Sequence, residues 1–376
     1  MTLLARWLPL PLLLSGCVLQ GTAEFSANAE RESPTRSGQD GRTLYQNNCA
    51  TCHAPDGRGR PRDQVGFDYP LPDFTDCSYN SREQSPDWVA IAHQGGPIRG
   101  FTPIMPAFGD ALTTAELSRL VEYIRAFCTD RNWPRGELNF PAAQITEKAF
   151  PEDEALIKTA IGSGSTRGAE TTFIVEKRLG SHSQLELSIP WLQVDSGPPG
   201  HWEQGVGDVA VAFKHVLGHS LDRGYIVSAA AELALPTGDA DRGLGSGTSS
   251  LETFVAGGFQ LPADFFLQTR AIYTMPFDGA AREAALHMAF GNMRTQGPFG
   301  RQWNPMVELV GARTLTSGAH AEWDWVPQLQ VSINQRQHLL FNVGVRLPLT
   351  QRAGRDPQYL AYLLWDWYDG GLLDGW

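Results

Sequence analysis

The sequence predicts an all-α unit followed by an all-β antiparallel unit, whose strands, about ten to twelve in number, close into a barrel. Three observations lead there. Apolar residues recur at helical spacing from residue 38 to about 130, and from about 168 onward the apolar period drops to two. Between these stretches, residues 131–167 carry Trp133-Pro134, Phe140-Pro141 and Phe150-Pro151, a proline-interrupted connector expected to be extended. Turns rich in Gly, Pro and Asp punctuate the second part.

At 376 residues the chain has room for two domains. Its formal net charge of −11 argues against nucleic acid as a partner. The first residues read as an export signal: Arg6 is the positive region and Trp7 to Leu14 the apolar core. Leu14-Ser15-Gly16-Cys17 resembles the lipobox of bacterial lipoproteins, which implies cleavage after residue 16 and lipid on Cys17. An ordinary signal peptide with an incidental cysteine is the other reading. Residues 17–37 are small and polar, a flexible tether.

The helical unit, 38–130, contains Cys49-Ala50-Thr51-Cys52-His53. Two thiols three apart share one face of a helical turn, so each can add to one haem vinyl group, and His53 is then placed to bind the iron. This is the c-type haem attachment signature. Zinc or thiol-redox chemistry fits poorly, because no second ligand pair stands at zinc spacing.

With its surroundings the motif resembles a class I cytochrome c. Gly41, Tyr45 and Cys49 recur every four residues. Thr113-Thr114-Ala115-Glu116 is a capping box opening a last helix that carries Leu117, Leu120, Val121, Ile124 and Phe127. The resemblance implies one covalently attached haem c and a glycine at Gly41 that lets the last helix cross closely. It also implies a backbone carbonyl in the loop Gly57 to Pro61, with Pro61 the candidate, holding the second ring nitrogen of His53. Arg58 and Arg60 interrupt the usual pattern there; they pair with haem propionates or face solvent.

The sixth iron ligand is expected to be Met105, the only methionine between the export signal and the β-rich part. Flanking prolines, Pro103 and Pro106, suit a stiff loop presenting one side chain, and a thioether raises the potential relative to a second imidazole. His93, near a helix end, is the competitor. In an exported chain disulfides are allowed. With Cys17 assigned to lipid and Cys49 and Cys52 to haem, Cys77 and Cys128 remain and are expected to pair.

The β-rich part, 168–376, alternates cleanly. Leu185, Leu187, Ile189 and Trp191 face one way and Gln184, Glu186 and Ser188 the other. The same holds for Trp325, Leu329 and Ile333 against Asp324, Gln328, Gln330 and Ser332, and for Phe341, Val343 and Leu347 against Asn342 and Arg346. A soluble sandwich and a transmembrane barrel both alternate so. Three points favour the barrel: aromatic residues at strand ends (Trp191, Trp303, Trp323, Trp325, Tyr359, Trp365, Trp367), charges of both signs on the polar faces (Glu186, Asp208, Lys214, Arg270, Glu308, Asp324, Arg346), and an aromatic-rich last strand. Leu235-Pro236-Thr237-Gly238-Asp239, Gly243-Leu244-Gly245-Ser246-Gly247 and Gly205-Val206-Gly207-Asp208 resemble Gram-negative barrels of the phenol-degradation and fatty-acid-transport kind.

The function expected is an electron-transfer monohaem c-type cytochrome anchored in the outer membrane, with its haem unit in the periplasm. Its partners would be periplasmic redox proteins and outer-membrane lipid. The alternative is an outer-membrane transport or channel protein with the cytochrome as redox sensor or accessory. An enzyme is not expected, because iron held by two protein ligands has no open site; peroxide reduction would need one ligand displaced.

Overall fold

A computed structural model of the chain describes residues 38–164, 167–195 and 201–367. The export signal, Cys17 and the tether up to residue 37 lie outside these.

Five α-helices build the first unit: α1 Gly41–Asn48, α2 Ala50–His53, α3 Cys77–Asn80, α4 Ser85–Gln94 and α5 Thr114–Arg125. Asp40 caps α1 by accepting from the Thr43 N–H. The box that opens α5 closes both ways: the Thr113 hydroxyl accepts from the Glu116 N–H, and Glu116 accepts from the Thr113 N–H. The apolar stripe of α5 (Leu117, Leu120, Val121, Ile124) is buried against Leu44 and Tyr45 of α1. Gly41 permits this crossing, since a Cβ there would lie 2.9 Å from that of Tyr123. A Cys77–Cys128 disulfide ties α3 to the chain just past α5.

The second unit is one antiparallel sheet of fourteen strands. They are β1 Glu154–Gly162, β2 Gly168–Leu179, β3 Ser183–Asp195, β4 Trp202–Val206, β5 Val209–Ser220, β6 Tyr225–Leu235, β7 Ser250–Gln260, β8 Phe265–Pro276, β9 Glu283–Asn292, β10 Arg294–Thr295, β11 Gln302–Thr314, β12 Glu322–Ser332, β13 Leu339–Pro348 and β14 Gln358–Asp366. Short β4 prolongs the pairing along β3 and short β10 that along β11, which leaves twelve in the wall. β9 pairs directly with β11, and β14 pairs with β1 (Glu154 opposite Asp366), so the sheet closes on itself. Closure removes every sheet edge, the condition for strands to cross lipid. No helix among the described residues is long and apolar enough to cross a membrane.

The side-chain period of two then sorts the wall. Phe173, Leu187, Ile189, Val211, Phe213, Val255, Phe290, Leu329, Phe341 and Val343 stand exposed on the outside, an apolar belt. Aromatic residues mark both rims, Trp303 at one and Trp191, Trp202, Trp325 and Tyr359 at the other. Trp367 departs from the expected belt: it is buried and meets the Trp365 ring edge-on. Asp208 departs from the expected lumen charges. It accepts from the Gly238 N–H (3.0 Å), the Ser246 N–H (2.7 Å) and the Ser246 hydroxyl (2.7 Å), pinning the glycine-rich loop 236–249 beside β5.

The stretch expected as a connector over 131–167 differs most. Its last part is wall strand β1, so the barrel begins at Glu154 rather than at 168. Pro151 and the acidic run Glu152-Asp153-Glu154 hide that strand, whose inward face mixes Glu154, Leu156 and Lys158. Residues 138–153 enter the lumen and bond to its wall. Phe140 stacks on Phe266 of β8 at 5.5 Å. Tyr362 of β14 donates to the Ala142 carbonyl (2.6 Å), and Gln328 of β12 accepts from the Gln144 N–H (3.0 Å). Fully buried Glu308 of β11 accepts from the Ile145 N–H, the Thr146 N–H, the Thr146 hydroxyl and Gln328 at 3.1, 2.6, 2.6 and 2.6 Å. Glu147 pairs with Lys214 of β5 (3.2 Å) and Arg270 of β8 (3.4 Å). The polar inner faces therefore meet a protein plug. Its backbone groups, buried away from water, need these partners.

Replacing Glu308 with Leu leaves three plug donors unpaired, at about 1–3 kcal/mol each. We expect E308L to lower the temperature at which the barrel loses its compact gel mobility, and to expose residues 145–147 to protease. E308Q, which keeps an acceptor, should lose less.

Candidate haem-binding site

The attachment turn is built where α1 stops. Cys49 closes α1, its N–H donating to the Tyr45 carbonyl (2.8 Å), and begins the single turn of α2. The His53 N–H then donates to the Cys49 carbonyl (2.9 Å). Tyr45, on the buried face of α1, reaches across and donates to the carbonyls of Ala54 (2.7 Å) and His53 (3.1 Å). The following loop folds back: the Gly59 N–H donates to the His53 carbonyl and the Arg60 N–H to that of Cys52. Tyr45 also packs on Tyr123 and Phe127 of the α5 region at 5.5 and 5.2 Å, so the motif sits on the α1–α5 crossing.

Cys49 is buried, Cys52 half-buried, and both are free thiols. Burial, and secondarily Cys52, pushes the Cys49 thiol up to about 12. His53 is 9% exposed and its ring stacks on Phe74 at 4.8 Å. Burial pulls it down to about 4, so the imidazole is neutral near pH 7 and keeps the lone pair a metal ligand needs. Its Nδ1 is buried with no hydrogen-bond partner, so the carbonyl expected from Pro61 does not hold it. The two free thiols, the neutral imidazole and the aromatic wall of Phe74 fit a covalently held haem. Among the described residues no group of three or more His, Cys, Asp or Glu could hold a separate metal ion.

Met105 lies half-buried in a loop whose neighbours Pro103, Ile104, Pro106 and Ala107 are exposed. Its carbonyl accepts from the Gly96 N–H (3.0 Å). His93 is engaged elsewhere: its ring lies against Gly109 and meets Phe299 of the barrel at 4.8 Å, and Nδ1 is 2.9 Å from the Gln94 amide. Arg58 is exposed and pairs with Asp73 (3.6 Å), and Arg60 donates to the Thr51 carbonyl (2.8 Å). Sequence reasoning missed the roles of Asn80, which donates to the Phe74 and Ile124 carbonyls, and of Arg125, which stacks on Trp88 at 4.2 Å. Neither carries a local signal, because their partners lie on other elements.

Residues 157–355 match the family model described as putative MetA-pathway of phenol degradation, more than half of the chain. The chain belongs to this family. Residues 36–124 match the model described as cytochrome C oxidase, cbb3-type, subunit III, so a cytochrome c domain precedes the barrel, and that domain implies haem. Among solved structures, an outer membrane channel from Pseudomonas putida F1 is 10% identical, with 60% of this chain and 99% of that chain covered and a TM-score of 0.44. The NanC porin is 11% identical (56% and 99% covered, TM-score 0.40) and the KdgM porin 10% identical (57% and 98%, TM-score 0.39). No curated protein matches.

Tyr45→Phe removes the donor from two carbonyls at the end of the attachment turn. We expect a loss of about 1–2 kcal/mol in the denaturant stability of the helical unit, with haem still attached.

Proposed function

We propose that this protein is an electron-transfer monohaem c-type cytochrome mounted on an outer-membrane barrel and facing the periplasm. The observation that supports the reading is the segment lodged in the lumen. With residues 138–153 bonded to the wall from β3 to β14, the barrel serves as an anchor and mount rather than a pore. Cys49 and Cys52 would hold one haem covalently, and His53 and Met105 would be its axial ligands; the haem supplies a reversible one-electron couple. Around it, Phe74 and the α1–α5 core exclude water, and Tyr45 fixes the turn that carries His53. Two protein ligands leave no open coordination site, which favours a carrier over an enzyme.

Loop length supports this orientation. The turns at 180–182, 221–224 and 261–264 are short and share an end with the start of β1 and with the loops 293–301 and 333–338, whereas the longest loop, 236–249, lies at the other end with 349–357. Outer-membrane barrels keep short turns on the periplasmic side. The helical unit docks at the short-turn end: His338 meets Glu83 (3.0 Å) and Arg178 stacks on Trp133 (4.8 Å). A single haem cannot carry electrons across a hydrocarbon core of about 30 Å, so the partners are periplasmic redox proteins. Lipid on Cys17 would add a second anchor.

Two measurements test this. Cell fractions run unboiled and boiled should show haem stain in an outer-membrane band whose mobility shifts on boiling, with stain lost when both Cys49 and Cys52 are replaced by Ser. Haem in the soluble fraction, or none at all, overturns the reading. In planar bilayers the full chain should give no lasting conductance, and replacing residues 141–149 with a short Gly/Ser link should give steady currents. Steady currents from the intact chain would favour the channel alternative.

A further inference from the structure

The loop that presents Met105 has little packing of its own, since Pro103, Ile104, Pro106 and Ala107 are exposed. It is held at its ends. The Gly96 N–H donates to the Met105 carbonyl and the Phe101 N–H to the Gly96 carbonyl, both at 3.0 Å. The Phe108 N–H donates to the Ala92 carbonyl (3.0 Å) and the Gly109 N–H to that of His93 (2.9 Å). Gly95 (φ 81°) lets the loop lie this close: a Cβ there would stand 2.9 Å from the Met105 carbonyl oxygen.

The platform holding those ends, the end of α4 and residues 96–101, rests on two short-turn-end loops of the barrel. The Arg336 guanidinium lies over the Phe101 ring at 4.5 Å. Phe299 meets the His93 ring at 4.8 Å, and its carbonyl accepts from Arg99 (3.0 Å), a buried side chain that also pairs with Asp87 (2.7 Å). Gln335 donates to the Pro97 carbonyl. Gln337 donates to the Gly300 carbonyl (3.0 Å), tying the two barrel loops together.

We infer that Phe299 and Arg336 are positioning residues for the Met105 loop, so that the barrel is a working part of the haem site as well as its mount. This rests on the reading of Met105 as an axial ligand. A ligand loop with few contacts of its own takes its position from what clamps its two ends, and here one side of that clamp comes from residues about two hundred positions further along the chain. Loosening it leaves the haem attached and lets competing ligands displace the thioether.

The test uses the full-length haem protein in detergent, with the near-infrared sulfur-to-iron band of the ferric form and its displacement by added imidazole. The band should be present in the unaltered protein and absent in M105A. In R336A and F299A the imidazole concentration for half displacement should fall about tenfold, which corresponds to ~1.4 kcal/mol. R336K should recover part of the loss, and R242A, at the far end of the barrel, should match the unaltered protein. Haem content and heat-shifted gel mobility report whether each variant folds. In haem-free C49S/C52S chains, R336A should also speed amide exchange at Phe101 and Phe108. If the unaltered protein lacks the band, the Met105 assignment fails. If the band is present but R336A and F299A leave imidazole displacement and amide exchange unchanged, the positioning role is wrong while the ligand assignment stands.

Discussion

Everything in this architecture depends on how the inside of the barrel is satisfied. Twelve strands enclose a narrow lumen, and its lining includes Gln184, Lys214, Asn304, Glu308, Gln328, Gln330 and Asn342, all buried. Such a lining holds either water or protein, and here it holds the chain's own residues 138–153. Glu308 is the centre of that arrangement. A carboxylate without solvent is costly unless its oxygens are filled, and four donors converge on it. In turn, the irregular backbone of the plug is tolerable at membrane depth because the wall supplies its hydrogen-bond partners.

The plug is continuous in sequence with the helical unit. A polar and aromatic junction at the short-turn end completes the link. Arg82 pairs with Asp153 (2.7 Å), Arg178 lies over Trp133 and Phe150 at 4.8 and 5.2 Å, and Arg336 lies over Phe101. Arginine suits these places because its planar cation stacks on a ring while its edge still donates hydrogen bonds.

Much of the helical unit was legible in the sequence, because its signals are local. The capping box at Thr113 and Glu116, the stripe along α5 and the four-residue spacing of Gly41, Tyr45 and Cys49 all lie within single turns or single helices. The wall strands were legible for the same reason: Leu185 to Trp191 and Phe341 to Leu347 sort their side chains to two faces by period alone. β1 was not, since its proline-flanked, acidic start reads like the connector before it. The plug was not either. Residues 138–153 have no period, and their partners, Glu308, Gln328 and Tyr362, stand more than a hundred and fifty residues away.

The sequence by itself determined the attachment turn, the order helices then strands, and which side chains of each strand share a face. These follow from spacing along the chain, which short-range geometry converts directly into structure. Only the tertiary structure decided what the polar faces meet, where the connector goes, and that Phe299 and Arg336 stand beside the Met105 platform. Those outcomes depend on the sheet closing, and closure brings together groups whose separation in sequence carries no information about their distance in space.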